Sequence, residues 1–156
     1  MKNIPFDPFE MIGEKWALVA ASQGDEHGAM TVSWGGAGVL WNKKVVTLYI
    51  RPTRHTYTLL EKTDLATISF FTDEYKKTLS YFGRVSGRDE DKIAVSGLSC
   101  STERGAPIFE EASRTFVLKK LYYSDIDKNN FSDPALDSHY NGDYHRMYIY
   151  EIIDEI

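Results

Sequence analysis

A single cysteine, Cys100, is all the thiol chemistry this 156-residue chain carries. That excludes an internal disulfide framework and fits a reducing cytoplasm. The chain also lacks the roughly 18-residue apolar run that a membrane-spanning helix needs. It has no charged-then-apolar leader, so neither a membrane span nor a signal peptide is expected. There is no basic tract, and the formal net charge of -5 at pH 7 disfavours nucleic acid as a partner. No G-x-G-x-x-G, no phosphate-binding P-loop and no G-x-S-x-G elbow occurs, which removes the usual support for dinucleotide-fold, phosphate-loop and hydrolase readings. His139, Asp143 and His145 lie close in sequence, but histidines in turns with tyrosine neighbours ordinarily hydrogen-bond, and no metal site is expected. Cys100 has no local basic partner to activate it. There is no internal repeat, linker or low-complexity segment.

What is present suits one globular domain spanning 1–156. Apolar residues make up 42% and charged residues 26%, enough for a real core. Aromatics reach 13%, with ten tyrosines, which suits interfaces and flat ligands as well as cores. The lead-in to Gly13 reads as irregular. Strands are predicted from Glu14 to Ser22, over Ala29–Trp34, over Val45–Ile50, over Leu65–Phe71, over Arg114–Tyr123 and from Arg146 onward. Short helices are predicted over His55–Lys62, from Asp73 to Gly83 and after the charged run at Asp89. GGAGVLWNKK is read as a loop, because glycines cost order in regular structure. The polar stretch from Asp125 to Tyr144 is longer than a connection needs to be unless it serves a site or an interface. Strands dominate and most connections are too short for parallel crossovers. The expected class is therefore mostly β with inserted helices, an antiparallel barrel whose closure removes exposed edges.

The stretch around which the rest is organised is AMTVSWGGAGVLWNKKVVTLYIRPTRHT, Ala29 to Thr56. Two strands flank a glycine break, and the second stops at Arg51-Pro52. Thr53, Arg54, His55 and Thr56 then stand at the mouth of a helix. Two readings fit: an anion pocket beside a flat, hydroxyl-lined wall, or an ordinary hairpin with a solvated arginine pair. Thr31, Ser33, Arg51, Arg54, Thr56, Ser86, Arg88 and Lys92 supply the hydroxyls and cations that a phosphate monoester needs. A phosphate site next to strand backbone suggests a flat phosphorylated cofactor, and composition and spacing name it no further.

Four segments in order, MTVSWGGAGVLWNKK, YIRPTRHT, SGRDEDK and GDYHRMYIYEI, resemble the flavin reductase-like, FMN-binding split-barrel proteins, nearest their flavoredoxin branch. The resemblance covers about residues 12–153. It implies an antiparallel split β-barrel, a homodimer, and non-covalent FMN near the subunit interface. It places Met30, Thr31, Val32, Ser33 and Trp34 along the isoalloxazine ring, and Arg51, Arg54, His55 and Thr56 at the FMN phosphate. Ser86 and Lys92 would add contacts at the phosphate end, and His145 would approach from the last strand. His55 departs from an aromatic expected there, and Tyr150 from a small residue.

The function so implied is an FMN-dependent oxidoreductase, with NADH or NADPH as transient co-substrate and a small molecule or redox protein as second acceptor. The flavin carries the chemistry, so no side-chain catalytic dyad is required. The alternative is an FMN electron-transfer or flavin-carrier protein with little nicotinamide oxidation. A barrel using the same pocket for another ligand comes third.

Overall fold

A computed structural model describes residues 5–156. After a helical turn over Phe9–Glu14, the chain forms β1 (Ala17–Gln23), β2 (Glu26–Val32), β3 (Gly35–Leu40) and β4 (Lys43–Ile50), then α1 (His55–Lys62) and β5 (Leu65–Phe70). It continues through α2 (Lys76–Arg84), α3 (Lys92–Ser96), the two short strands β6 (Cys100–Ser101) and β7 (Ile108–Phe109), and ends on β8 (Arg114–Asp125) and β9 (Arg146–Glu155). The seven main strands form one antiparallel sheet in the order β2-β1-β5-β8-β9-β4-β3. The strands at the two ends of that order, β2 and β3, are consecutive in the chain, so the sheet curls back on itself as the expected split barrel.

The hairpin between β1 and β2 turns on Gly24 and Asp25, with Gln23 facing Glu26. That of β3 and β4 turns on Trp41 and Asn42, both at positive φ (52° and 57°), the two-residue turn whose twist matches the strands it joins. GGAGVL is thus a strand and not the loop that its glycines suggested. Gly35 shows why one of them belongs there: a Cβ would lie 2.8 Å from the Thr47 carbonyl oxygen across the hairpin. The segment after Gly97, where no strand was predicted, contributes β6 and β7.

Two apolar clusters hold the fold. Inside the curl lie Val19, Met30, Val32, Leu48, Ile50, Ile68, Phe70, Phe116 and Leu118, with α1 closing one end through Leu59 and Leu60. On the outer face, Leu18, Ala20 and Ala29 pack under Leu79 and Phe82 of α2. The alternation of β2 explains the split, since Met30 and Val32 point inward while Ala29 points out. Tyr148 and Tyr150 are fully buried in the inner cluster. These tyrosines of the last strand are therefore core side chains and offer no face to a twofold mate. The Tyr150 hydroxyl has no hydrogen-bond partner among the described residues. No helix among them is long and apolar enough to cross a membrane.

Candidate functional site

Where β2 ends, side chains from three parts of the chain converge. Met30, Thr31, Val32, Ser33 and Trp34 line one wall of a cavity of about 210 Å³, and Tyr49, Arg51, Arg54 and His145 complete it. Strand alternation places Tyr49 and Arg51 on the same face. Val32 gives its side chain to the core, whereas Thr31 and Ser33 are half-buried and Trp34 is 47% exposed. The Thr31 hydroxyl donates to the Leu79 carbonyl at 2.5 Å, tying the wall to α2.

The long polar connection reaches this cavity through Arg51 and Trp34. Arg51 pairs with the Asp143 carboxylate at 2.8 Å and donates to the His139 carbonyl at 2.8 Å. Its guanidinium also lies 4.8 Å from the centre of the Tyr140 ring. The Asn141 backbone N–H and the Arg51 guanidinium hold the Asp143 carboxyl below the usual carboxylate range. Trp34 meets His139 and His145 edge-on at 5.5 and 5.3 Å. His145, buried just before β9, is bonded through Nδ1 to the Tyr140 hydroxyl at 2.6 Å. Burial, and then the Arg51 charge, push the imidazole down to about 4, so it is neutral at physiological pH.

A second, larger cleft of about 860 Å³ follows along β2 toward its start. It is lined by Glu26, His27, Gly28, Ala29, His55, Gly87, Arg88 and Lys92 among others. His55 is clasped between two glycines there. A Cβ on Gly87 would meet its Cδ2 at 2.8 Å, and one on Gly28 would stand 3.8 Å from the same atom. Its Nε2 faces Glu26 at 2.9 Å. Thr56 and Ser86 line neither cavity. Thr56 is buried in the first turn of α1, with its hydroxyl 3.4 Å from where a Cβ on Gly28 would sit. Ser86 accepts the Arg88 backbone N–H.

The expected phosphate cluster is therefore divided between two adjoining spaces, and two of its cations have structural employment. Arg54 donates to the Gly83 and Phe82 carbonyls at 2.9 and 3.0 Å. Lys92 donates to the Phe82 and Val85 carbonyls, each at 2.9 Å. Both thus cap the C-terminus of α2, where carbonyls lack helical partners and cations are favoured. They meet on the Phe82 oxygen, one from each cavity. Burial and the neighbouring Arg54 lower the Lys92 ammonium to about 8, and burial also lowers Arg54. Arg88 reaches the Thr53 carbonyl at 2.7 Å. Sequence reasoning missed Tyr49, Tyr140 and the role of Asp143. The strand phase shared by Tyr49 and Arg51 was the one available signal.

Comparison with known proteins bears on the family and the fold. Residues 11–121 match the family model described as flavin reductase like domain. An FMN-binding protein from Thermus thermophilus, solved with bound 1-cyclohex-2-enone, superposes with a TM-score of 0.70 at 20% identity, over 90% of this chain and 68% of that one. Flavoredoxin of Desulfovibrio vulgaris (Miyazaki F) gives a TM-score of 0.69 at 22% identity, over 90% of this chain and 67% of its own. The styrene monooxygenase flavin reductase of Pseudomonas putida S12 gives 0.65 at 14% identity, over 91% and 78%. At these identities the likeness is one of fold. A search of the curated proteins found no match.

Proposed function

The chain belongs to the flavin reductase like domain family, and from that premise we propose that it is an FMN-binding oxidoreductase, passing reducing equivalents from NADH or NADPH to a second acceptor. The observation that carries this reading is the donor set of the smaller cavity. Two guanidinium groups, the Thr31 and Ser33 hydroxyls, strand backbone and the Trp34 and Tyr49 rings line one space, which suits a ligand both flat and anionic. A ring, a polyol chain and a phosphate make FMN an extended molecule, and two cavities in succession along β2 fit such a shape. Bound FMN would supply the hydride- and electron-accepting chemistry.

The chain's own residues bind and orient. Met30 to Trp34 would border the ring, with Ser33 and backbone N–H groups as preorganised donors to charge that develops there. Arg51 would serve the phosphate end and His55 would border the adjoining cleft. Arg54 and Lys92 hold the end of α2 beside it, and Thr56 and Ser86, which line neither cavity, would stay clear of the ligand. The segment carrying His139 to His145 braces the pocket wall through Arg51 and Trp34. Binding without nicotinamide oxidation would instead mark an electron carrier, and steady-state NADH and NADPH oxidation distinguishes the two.

FMN is expected to bind more tightly than riboflavin. Arg51→Ala should weaken FMN by about tenfold or more, the worth of one charge-assisted hydrogen bond at ~1.5–3 kcal/mol. Riboflavin should hardly respond. Titrations showing equal losses for both ligands would assign Arg51 to the fold instead.

We propose a homodimer as well, now through a different surface. β3 is an edge strand, and Val39 (77% exposed), Leu40 and Trp41 stand out from it beside Tyr122. An uncharged apolar edge of this kind favours pairing with a second copy. Light scattering at micromolar concentration should give twice the chain mass of 17.8 kDa; the single-chain mass rejects the dimer.

A further inference from the structure

The Tyr140–His145 pair does something the proposed function does not require of it. His145 forms part of the pocket wall, and Nδ1 is its only nitrogen with a hydrogen bond among the described residues. That bond, at 2.6 Å, runs to a phenol. Burial pushes the pKa of the Tyr140 phenol up, so it keeps its proton at physiological pH. No other acceptor engages the Tyr140 hydroxyl among the described residues, so donation to Nδ1 is the arrangement that uses both groups. An imidazole that accepts at Nδ1 and is neutral must carry its proton on Nε2.

We propose that Tyr140 is a positioning residue that locks His145 in the Nε2–H tautomer, so that the pocket wall presents a neutral N–H donor to a carbonyl-type acceptor on the ligand. Only the identity of that ligand rests on the flavin reading. The surroundings of the imidazole support a neutral ring. Arg51 and His139 oppose a positive charge on it, Asp143 alone favours one, and Trp34 and Tyr49 pack against it as rings. Arg51 stands over the face of Tyr140, and Tyr144 packs 4.9 Å from it, so the phenol is held in place from two sides. A protonated His145 would lose its acceptor nitrogen, and the bond could persist only reversed, with Nδ1–H donating to the phenol oxygen. A neutral donor discriminates differently from the guanidinium next to it: it suits an uncharged oxygen, whereas Arg51 suits an anion.

Tyr140→Phe removes only the hydroxyl and keeps the ring that Arg51 and Tyr144 contact. The test is the tautomer itself, read from the side-chain nitrogen shifts of ¹⁵N-labelled, ligand-free protein near neutral pH. In the wild type, Nδ1 of His145 is expected unprotonated and Nε2 protonated. In Tyr140→Phe a substantial share of the Nδ1–H form should appear, while Trp34 and backbone resonances away from the segment stay in place. A protonated Nδ1 in the wild type, or the same tautomer in both proteins, overturns the proposal. Failure of the wild type to bind FMN would overturn the flavin reading and leave this result standing.

Discussion

Arg114→Ala should be among the most damaging single substitutions in this chain, with an expected loss of about 3–5 kcal/mol in unfolding free energy. Arg114 opens β8, and its Nε sits 2.7 Å from the Glu155 carboxylate near the end of β9. Both side chains are almost out of water, at 12% and 3% exposure. The guanidinium lies 4.9 Å from the centre of the Phe116 ring and 5.4 Å from that of Phe6. Truncation would leave a buried carboxylate with its cation gone, and an uncompensated buried charge is what makes breaking such a pair costly. Next to it the ladder between Thr115 and Ile156, bonded in both directions at 2.8 and 2.9 Å, would be exposed to fraying. Removing both charges at once, as Arg114→Met with Glu155→Gln, should recover most of the loss, because neither partner is then left behind. Urea denaturation of the three variants checks this. A loss of under about 1 kcal/mol for the alanine variant would mean that water reaches the pair and screens it.

The same contrast between local and distant partners decides how much was legible in the sequence. Helix α1 is found over His55–Lys62 as predicted, because Pro52 ahead of it and the strand run from Leu65 after it are local signals. The strand β3 was not legible, since its glycines argue for a loop by intrinsic cost. What overrides that cost is pairing with β4 along its whole length, and a hairpin turn at Trp41 and Asn42 that no glycine announces. The long connection was legible as something that serves a site. That Asp143 would take Arg51, a partner 92 positions away, was not. Lys92 and Arg54 read as free cations among hydroxyls for the same reason. The carbonyls they serve are backbone atoms, which carry no residue-specific mark in a sequence.

That finding about Arg54 leads to the second large effect. Arg54→Ala is expected to cost about 3 kcal/mol or more, since a hydrogen bond to a charged group is worth ~1.5–3 kcal/mol and two are lost. The guanidinium is half-buried and holds the Phe82 and Gly83 carbonyls with one planar fork. Lys92 would still reach the Phe82 and Val85 oxygens, which leaves the Gly83 carbonyl without its donor. Arg54→Lys should fall between wild type and alanine, because a single ammonium cannot reproduce the fork. The consequence for the pocket follows from Thr31. Its hydroxyl donates to the Leu79 carbonyl of the same helix, so a shift of α2 moves the wall that Met30 to Trp34 provide. Arg54→Ala should therefore weaken FMN and riboflavin together, whereas Arg51→Ala should weaken FMN alone. Urea unfolding with parallel titrations of both ligands separates the two arginines. If Arg54→Ala keeps its stability and loses only FMN, then the helix end holds without the fork and Arg54 is a phosphate ligand first.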